Sequence, residues 1–200
     1  MIESKEINSV EEMNDWIFDN YSLWRDGLSE DLVKSIKFYS GWGHIDINDA
    51  NRSGKPIPNS MKTISDNISK GLSMAGIPEN VTVYRAVDEA AIVDMALKSG
   101  GILESGIIIE DSGFLSTSLT PDTSFMHNYN YIFKLNAIEG VHGAPLQYGD
   151  LAVIPEENEV LFDRNSNIYV SRVSKHKRSE IVPNYSGDGE VVLVEGLLTI

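Results

Sequence analysis

The chain has 200 residues, the usual size of one domain with one hydrophobic core. Hydrophobic residues make up 42% of it and charged residues 23%, as in ordinary globular domains. Sixteen basic and 30 acidic side chains give a net charge of -14, which repels phosphate backbones and argues against general nucleic-acid binding. The absence of cysteine excludes disulfides, thiolate nucleophiles and cysteine-ligated metal sites.

The N-terminal sequence shows no signal peptide. It lacks a basic start and an apolar core, and no apolar run in the chain reaches the roughly 18 residues that span a bilayer. We therefore expect no membrane insertion. The chain can still be a fragment whose delivery segment was removed, or a substrate of a signal-independent injection system.

Residues 1–76 show mainly helical patterns. Ser9 and Glu12 have the spacing of a capping box, and Val10, Met13 and Ile17 follow on one helical face. Two more helices are predicted from near Ser29 and near Asn59, with apolar residues spaced by three or four: Leu32, Ile36 and Tyr39, then Ile64, Ile68 and Leu72.

Residues 77–200 instead show short β-branched and aromatic runs between turn residues. Helices followed by strands predict one α+β domain over residues 1–200 rather than alternating βαβ units. One helix, Glu89 to Lys98, interrupts the predicted strands, which are Val81 to Val87, Ile107 to Glu110, Phe114 to Ser118, Tyr131 to Asn136, Glu159 to Phe162, Ile168 to Val173 and Val191 to Thr199.

Common catalytic motifs are missing from the sequence. It contains no phosphate-binding GxxxxGK[ST], no GxGxxG after a strand, no HExxH and no GxSxG. The four histidines are too far apart to suggest a metal cluster, so we expect no metal cofactor.

Two carboxylates, Glu157 and Glu159, stand before an apolar run. If the strand begins at Glu157, alternation places both side chains on one face, roughly 6 to 7 Å apart. Such a pair suits either an ordinary acidic turn in solvent or a site that stabilises a cationic substrate.

Arg85 is predicted on the same strand face as Val83 and Val87. A guanidinium on an apolar face needs an anion, which can be a phosphate ligand or a structural carboxylate. Ser116 and Ser118 share one face of a later strand, where hydroxyls can brace a site, and Thr117 lies on the other face, where β-propensity explains it equally well.

In this order the motifs resemble those of the mono-ADP-ribosyltransferase toxins, in the Arg / Ser-Thr-Ser / Glu-x-Glu class that includes the enzyme components of clostridial binary toxins and related phage enzymes. Relatives also carry a tyrosine and an Ile-Asn pair at the separation of Tyr39 and Ile47-Asn48. The resemblance implies an ADP-ribosyltransferase fold, in which N-terminal helices pack on a core of two β-sheets and NAD binds in the cleft between the sheets.

The resemblance also implies roles for individual residues. Glu159 would stabilise the oxocarbenium-like transition state as nicotinamide leaves NAD, Glu157 would orient and deprotonate the nucleophile, and Ser116 would hold the catalytic glutamate. The remaining NAD-binding residues would be Arg85 on a phosphate, Thr117 and Ser118 in the pocket wall, Tyr39 and Asn48 beside the nicotinamide, and Phe125 stacked on the nicotinamide ring.

The same resemblance implies two functional loops, a target-recognition turn at about Gln147 to Asn158 and a loop over the phosphates from Leu119 to Phe125. The sequence departs from the family where a second arginine often follows the first, because Ala86 stands there, and where His44 replaces a family tyrosine. The phosphate loop is also neutral around Asn128, where relatives carry another arginine.

The expected activity is transfer of ADP-ribose from NAD to an arginine of a target protein. A cationic nicotinamide and a cationic guanidinium both suit paired carboxylates, and relatives with glutamine at the position of Glu157 modify asparagine. The expected partner is a host protein, actin or another, modified in the target-cell cytoplasm by a secreted or injected toxin or a phage enzyme. Alternatives are an NAD glycohydrolase and a non-catalytic binding module.

A basic cluster lies near the end of the predicted Ile168 to Val173 strand. It is either a solvated strand end or a docking surface for an acidic target, and the sequence does not decide between them. Its members are Arg172, Lys175, Lys177 and Arg178.

Overall fold

The structure, a computed structural model, describes residues 3–98 and 100–199. Helices come first and strands afterwards, as the sequence predicts. The α-helices are α1 Val10–Gly27, α2 Glu30–Phe38, α3 His44–Ser53, α4 Asn59–Ser73, α5 Glu89–Lys98, α6 Ser124–Asn128 and α7 Arg178–Ile181, with a π-helical turn at Tyr39–Gly43 and a 3-10 turn at Pro155–Glu157.

The strands are β1 Val81–Val87, β2 Ile108–Asp111, β3 Leu115–Ser118, β4 Tyr131–Ala137, β5 Gly143–Pro145, β6 Glu159–Phe162, β7 Ser166–Lys177 and β8 Glu190–Thr199. Within the described residues, no helix is both long enough and apolar enough to cross a membrane.

Helix α1 begins at the predicted cap. Ser9 Oγ accepts a hydrogen bond from the backbone N of Glu12 at 3.1 Å, and Glu12 Oε2 in turn accepts one from the backbone N of Asn8 at 3.0 Å. Met13 and Ile17 are buried as predicted, but Val10 is 64% exposed. The buried stripe therefore starts one turn after the cap.

The eight strands form one hydrogen-bonded sheet in the order β2-β7-β8-β4-β1-β3-β6-β5. Among the described residues, β1 and β3 connect the first five strands to the last three through one paired backbone position, Tyr84 with Ser118. The two predicted sheets are thus two halves of one sheet. Neighbouring strands are antiparallel except β4 and β8, which run parallel.

The two faces of β1 enter different clusters of apolar side chains. Val81, Val83 and Val87 belong to the main core, which the N-terminal helices cover. Tyr84 faces a smaller cluster formed by α6, α7 and the neighbouring strands. Arg85 therefore shares its face with the main core, as alternation along the strand predicts.

Arg178 was predicted as part of a basic surface cluster, and this prediction is wrong because its side chain is only 4% exposed. Its Nη1 donates to the carbonyl oxygens of Met126 at 2.5 Å and Tyr129 at 2.6 Å, and Nη2 donates to Asn130 Oδ1 at 3.1 Å. Arg178 also lies over the Tyr185 ring. It therefore anchors the end of α6, whose last carbonyls lack partners within the helix.

We predict that Arg178→Ala lowers the free energy of unfolding by about 3 kcal/mol, because it leaves buried carbonyls without donors. The matched control is Arg172→Ala, since Arg172 is exposed and lies 3.7 Å from Glu195, a separation at which surface ion pairs contribute little. Urea unfolding measures both variants. Equal stability of the two would show that Arg178 does not anchor α6.

Candidate active site

Three predicted site residues meet at the junction between the two halves of the sheet. Arg85 Nη1 donates to the backbone carbonyl of Ser116 at 2.6 Å, which links β1 to β3. On the other side of β3, Ser116 pairs with Leu161 and Ser118 with Glu159. Since paired residues of antiparallel strands face the same side, Ser116 and Glu159 lie on one face of the sheet.

Glu159 is a buried carboxyl, with 6% of its surface exposed. Burial raises its pKa to about 7, and the negative charge of Glu157 acts in the same direction. The Ser116 hydroxyl and the positive charge of Arg85 favour the ionised form and oppose this increase without cancelling it. The surrounding protein thus does not fully stabilise the negative charge of the ionised Glu159 carboxylate.

Glu157 does not belong to the strand, contrary to the prediction. It ends the 3-10 turn, and the next residue, Asn158, has a φ of +50°, so the chain turns sharply before β6 starts at Glu159. Alternation therefore does not relate the two carboxylates. The negative charge of Glu157 still acts on Glu159 and helps to raise the pKa of Glu159.

The environment of Glu157 differs from that of Glu159. Its side chain is only half-buried, and this partial burial is the main cause of its raised pKa. His44, at the start of α3, acts in the opposite direction. Glu157 therefore lies at the mouth of the site, whereas Glu159 lies inside it.

Asn158 fixes the turn between the two glutamates. Its Nδ2 donates to Thr120 Oγ1 at 2.9 Å, and its carbonyl accepts from the backbone N of Leu119 at 3.0 Å. Asparagine tolerates the left-handed conformation better than most residues. The residue between the carboxylates thus ties their positions to the end of β3.

The other two residues of the Ser-Thr-Ser run make internal hydrogen bonds. Thr117 Oγ1 donates to the carbonyl of Val160 at 2.9 Å, on the opposite face of the sheet from Glu159. Ser118 Oγ accepts from the backbone N of Thr120 at 3.2 Å. Both hydroxyls therefore stabilise the backbone around the site.

Tyr39 and Asn48 brace the chain just before β3. Asn48 Nδ2 donates to Tyr39 Oη at 2.8 Å and to the Phe114 carbonyl at 3.3 Å, while its Oδ1 accepts from the Phe114 backbone N at 2.9 Å. The Tyr39 ring packs edge-on against Phe114. Gly113 allows this approach, because a Cβ there would lie 2.9 Å from Asn48 Oδ1.

Arg85 borders a pocket of about 220 Å³ between β1, β2, α3 and α5. Burial lowers the pKa of its guanidinium, with the charge of Asp111 opposing that effect. Arg85 forms no salt bridge among the described residues, and its buried Nε has no partner there. A structural carboxylate therefore does not satisfy this arginine directly, although Asp111 lies nearby.

Arg52 is a pocket residue that the sequence analysis missed. It forms a two-pronged hydrogen bond to Asp111, at 2.7 and 2.9 Å, and a third bond to the carbonyl of Phe114 at 3.3 Å. It lines the pocket together with Arg85 and Lys98. Its position four residues after Asn48, on the same helical face, was a signal that could have identified it.

Phe125 lies on α6, with its side chain exposed and its ring stacked on that of Tyr129 at 6.0 Å between centroids. Helix α6 contacts β1, the strand that carries Arg85. The stacking of Phe125 on nicotinamide stays a prediction.

A second depression of about 610 Å³ lies on α1, away from these residues. It is lined mainly by carboxylates, including Glu11, Asp15 and Asp19, and it contains none of the predicted site residues. Among residues 3–98 and 100–199, no group of three or more possible ligands is arranged to hold a metal ion.

The comparisons with known proteins give a match to one family model and a likeness to solved structures. The model of the ADP-ribosyltransferase exoenzyme family matches residues 13–197. A search of the curated proteins gives no match.

Solved structures of similar fold include Plx2a, an ADP-ribosyltransferase toxin from Paenibacillus larvae. It is 20% identical with a TM-score of 0.77, and the match covers 95% of this chain and 96% of that one. C3stau2 from S. aureus, solved with NAD, is 15% identical with a TM-score of 0.78 and 99% of both chains covered. BECa of C. perfringens, solved with NADH, is 20% identical with a TM-score of 0.81, and the match covers 99% of this chain and 50% of BECa.

We predict that Glu159→Gln stabilises the fold at high pH. The carboxyl ionises near 4.5 when unfolded and at about 7 when folded, so its contribution to stability is present below pH 4.5 and is lost as the pH rises through 7. A glutamine does not ionise, so the variant should exceed the wild type by about 3 kcal/mol at pH 8 and by much less at pH 4.5.

Urea unfolding at the two pH values measures this difference. The control is Glu156→Gln, which alters an exposed carboxylate in the adjacent turn. A stability gain for Glu159→Gln that is the same at both pH values would contradict the raised pKa of Glu159.

Proposed function

Because the chain belongs to the ADP-ribosyltransferase exoenzyme family, we propose that it transfers ADP-ribose from NAD to an arginine of a target protein and releases nicotinamide. The observation that carries the proposal is the buried Glu159, held on one face with Ser116 and near Arg85. NAD as the substrate is further supported by the fold relatives solved with NAD and NADH.

Glu159 is suited to the first half of the reaction. When the bond between nicotinamide and ribose breaks, positive charge develops on the ribose, and a fixed carboxylate stabilises that charge more than it stabilises the ground state. The burial that raises the pKa of Glu159 also reduces screening by water. A cationic ligand beside Glu159 favours the ionised form of its carboxyl group, so this carboxylate binds a cation more strongly than a neutral ligand.

Arg85 is suited to a phosphate of NAD. Its partly unsatisfied guanidinium borders a pocket whose wall also carries Arg52 and Lys98. A phosphate accepts the charged hydrogen bonds that the protein leaves unmade. Arg52 and Lys98 are paired in that wall with Asp111 and Asp94, which leaves Arg85 as the pocket's cation without a carboxylate partner among the described residues. Ala86, which replaces the family's second arginine, lies on the opposite face of β1.

Glu157 is suited to the second half of the reaction. Its carboxylate lies at the mouth of the site, half-buried and within electrostatic range of His44. From there it can attract a guanidinium and accept its proton, which a neutral amide cannot do. This carboxylate supports arginine as the acceptor rather than asparagine.

The partner we propose is a protein of a target cell, actin or another, reached by a secreted or injected toxin. The fold relatives support a toxin, since they include the enzymatic component C2-I of the C2 toxin from Clostridium botulinum, 22% identical with a TM-score of 0.76. This chain covers 50% of C2-I, so the activities of that whole protein are not carried over.

We predict that Glu159→Gln and Glu157→Gln separate the two half-reactions. Glu159→Gln should lower both nicotinamide release and protein modification by about 100-fold or more, because it removes transition-state stabilisation. Glu157→Gln should leave nicotinamide release into water largely intact and abolish transfer to arginine. Assays of nicotinamide and of tagged ADP-ribose on protein measure the two activities.

The same assays distinguish the alternative functions. Wild-type protein that releases nicotinamide without modifying protein would be an NAD glycohydrolase, and protein that does neither would be a binding module. If Glu157→Gln modifies its target as fast as the wild type, arginine is not the acceptor. Resistance of the product bond to neutral hydroxylamine would also contradict an ADP-ribosyl-arginine linkage.

We predict that Arg85→Ala weakens NAD binding by about 1.5 to 3 kcal/mol, the usual contribution of a charged hydrogen-bonding group. Calorimetry measures the affinity, and Arg172→Ala on the exposed part of β7 is the control. Unchanged affinity in a folded Arg85→Ala variant would show that Arg85 only links β1 to β3.

A further inference from the structure

Part of the long strand β7 has a partner strand on one side only. β2 pairs with β7 over just four residues, Ser166 to Tyr169. The chain before β2 makes two further backbone hydrogen bonds, both with Val170, and a turn at Gly106, whose φ is +95°, ends this pairing. Residues 172–177 of β7 therefore pair with β8 and, among residues 3–98 and 100–199, with no second strand.

The register gives the direction of the backbone groups along this part of β7. Arg178, directly after β7, donates its backbone N–H to the carbonyl of Gly189 at 2.7 Å and so continues the ladder with β8. Backbone groups alternate between the two sides of a strand. Val173, Lys175 and Lys177 therefore direct their N–H and C=O groups away from β8. We call these three residues the β7 edge.

The two ends of the sheet are protected, in contrast to the β7 edge. β5 has three residues, all buried, and contacts α1 and α4, while β2 has four residues and contacts α5. Short or covered end strands prevent pairing with other chains. In the described part of the chain the β7 edge has no comparable cover, since Lys175 and Lys177 are exposed and Val173 is half-buried.

The β7 edge is positively charged. Lys175 and Lys177 lie two residues apart, so both side chains project from one face of the sheet, with Val173 two residues further along. Among the described residues, the carboxylate contacts of β7 involve Arg172 and His176 and neither of these lysines. In a chain with a net charge of -14, this edge thus presents positive charge that the described residues leave unpaired.

We propose that the β7 edge binds an extended acidic segment of another protein, which adds to the sheet as a strand. The outward backbone groups supply the hydrogen bonds of such a complex, and side chains at alternate positions supply its selectivity. The inference does not depend on the proposed transfer to arginine, because no residue of the β7 edge belongs to the candidate active site.

The side chains of the β7 edge define the sequence that fits. Residues directly opposite in paired strands lie on the same face, with Cβ atoms roughly 5 Å apart. In an antiparallel complex, the segment therefore carries acidic residues opposite Lys177 and Lys175 and an apolar residue opposite Val173. Read from its N-terminus, the pattern is acidic-x-acidic-x-apolar, where x is a residue that favours strands.

Charge disfavours a second copy of the chain as the occupant. A two-fold pairing of the whole β7 edge would place the two copies of Lys175 opposite each other, and like charges in that position destabilise paired strands. The net charge of -14 adds long-range repulsion between copies. Lysines on an edge also deter neutral strands. The side chains that prevent self-association thus select an acidic segment.

The β7 edge lies apart from the candidate active site. β8 and β4 stand between β7 and β1, the strand that carries Arg85. A segment that adds beyond β7 extends the sheet away from β1. The protein can therefore hold an acidic partner on this edge while its candidate active site stays open.

The test uses the full chain and three fluorescently labelled peptides at low salt. The acidic peptide is Thr-Glu-Thr-Glu-Thr-Val-Thr, the basic peptide has lysine in place of both glutamates, and the third is the acidic peptide with N-methyl groups on both glutamate amides. Fluorescence anisotropy should show that the acidic peptide binds at least about 10-fold more tightly than either of the others. N-methylation removes donors that strand pairing requires and keeps the charge.

Variants of the β7 edge separate charge from backbone pairing. Replacement of both Lys175 and Lys177 by glutamate should reverse the preference, so that the basic peptide binds about 10-fold more tightly than the acidic one. Lys175→Pro should bind the acidic peptide about fivefold more weakly than Lys175→Gln, because proline also removes the N–H that points away from β8. The matched control is Lys37→Glu, which changes an exposed lysine on α2 and should leave all three affinities unchanged.

Amide hydrogen exchange measured by NMR tests the geometry of the complex. The acidic peptide should slow exchange at Val173, Lys175 and Lys177, and it should leave exchange at His176, whose N–H faces β8, unchanged. Thermal melting identifies any variant that is not folded, and the comparison of the three peptides on the wild type needs no variant.

Several outcomes would overturn the inference. They are no binding of the acidic peptide up to about 1 mM, equal binding of the basic or the N-methylated peptide, and protection without the alternation between odd and even residues. A dimer in sedimentation velocity that Lys175→Pro abolishes would also overturn it, because the edge would then serve self-association.

Discussion

The hydrogen bond from Arg85 to the carbonyl of Ser116 crosses the weakest connection in the sheet. Backbone pairing between β1 and β3 is restricted to Tyr84 and Ser118 in the part of the chain that the structure describes, so the two strands separate on either side of this position. A continuous ladder would have filled this space with paired backbone groups. Instead the junction leaves room for polar side chains from both halves, and the candidate site lies there.

That position has an energetic cost. The Arg85 guanidinium and the Glu159 carboxylate are both buried, yet they form no salt bridge with each other, and Arg85 Nε lacks a partner among the described residues. Burying a charge without full compensation destabilises a fold. The apolar cores packed around the sheet must offset this cost, and a ligand with a phosphate near Arg85 and a cation near Glu159 would relieve it.

The sequence predicted those features whose determinants are local. The bounds of β1 and α5, and the cap of α1 at Ser9, follow from patterns within a few residues. The sequence analysis was wrong or incomplete where contacts between residues far apart in the chain determine the structure. Arg178 has the pattern of a surface cation, but the carbonyls of Met126 and Tyr129 bury it. The sequence marks Arg52 only through its spacing from Asn48, and only the folded chain brings it to Asp111.

Glu157 lies outside the strand, so strand alternation does not relate it to Glu159. One short motif can therefore supply two carboxylates in different environments. In a continuous strand both side chains would have similar burial on one face, and their charges would repel at close range. The left-handed conformation of Asn158 gives the two carboxylates different environments, because it leaves Glu159 inside the sheet and places Glu157 in a turn at the mouth of the site. In the proposed reaction, the buried carboxylate is suited to the charge on the ribose and the outer one to a nucleophile that arrives from solvent. Asn158 therefore separates the two proposed roles through its backbone conformation and its bond to Thr120, although its own side chain carries out neither.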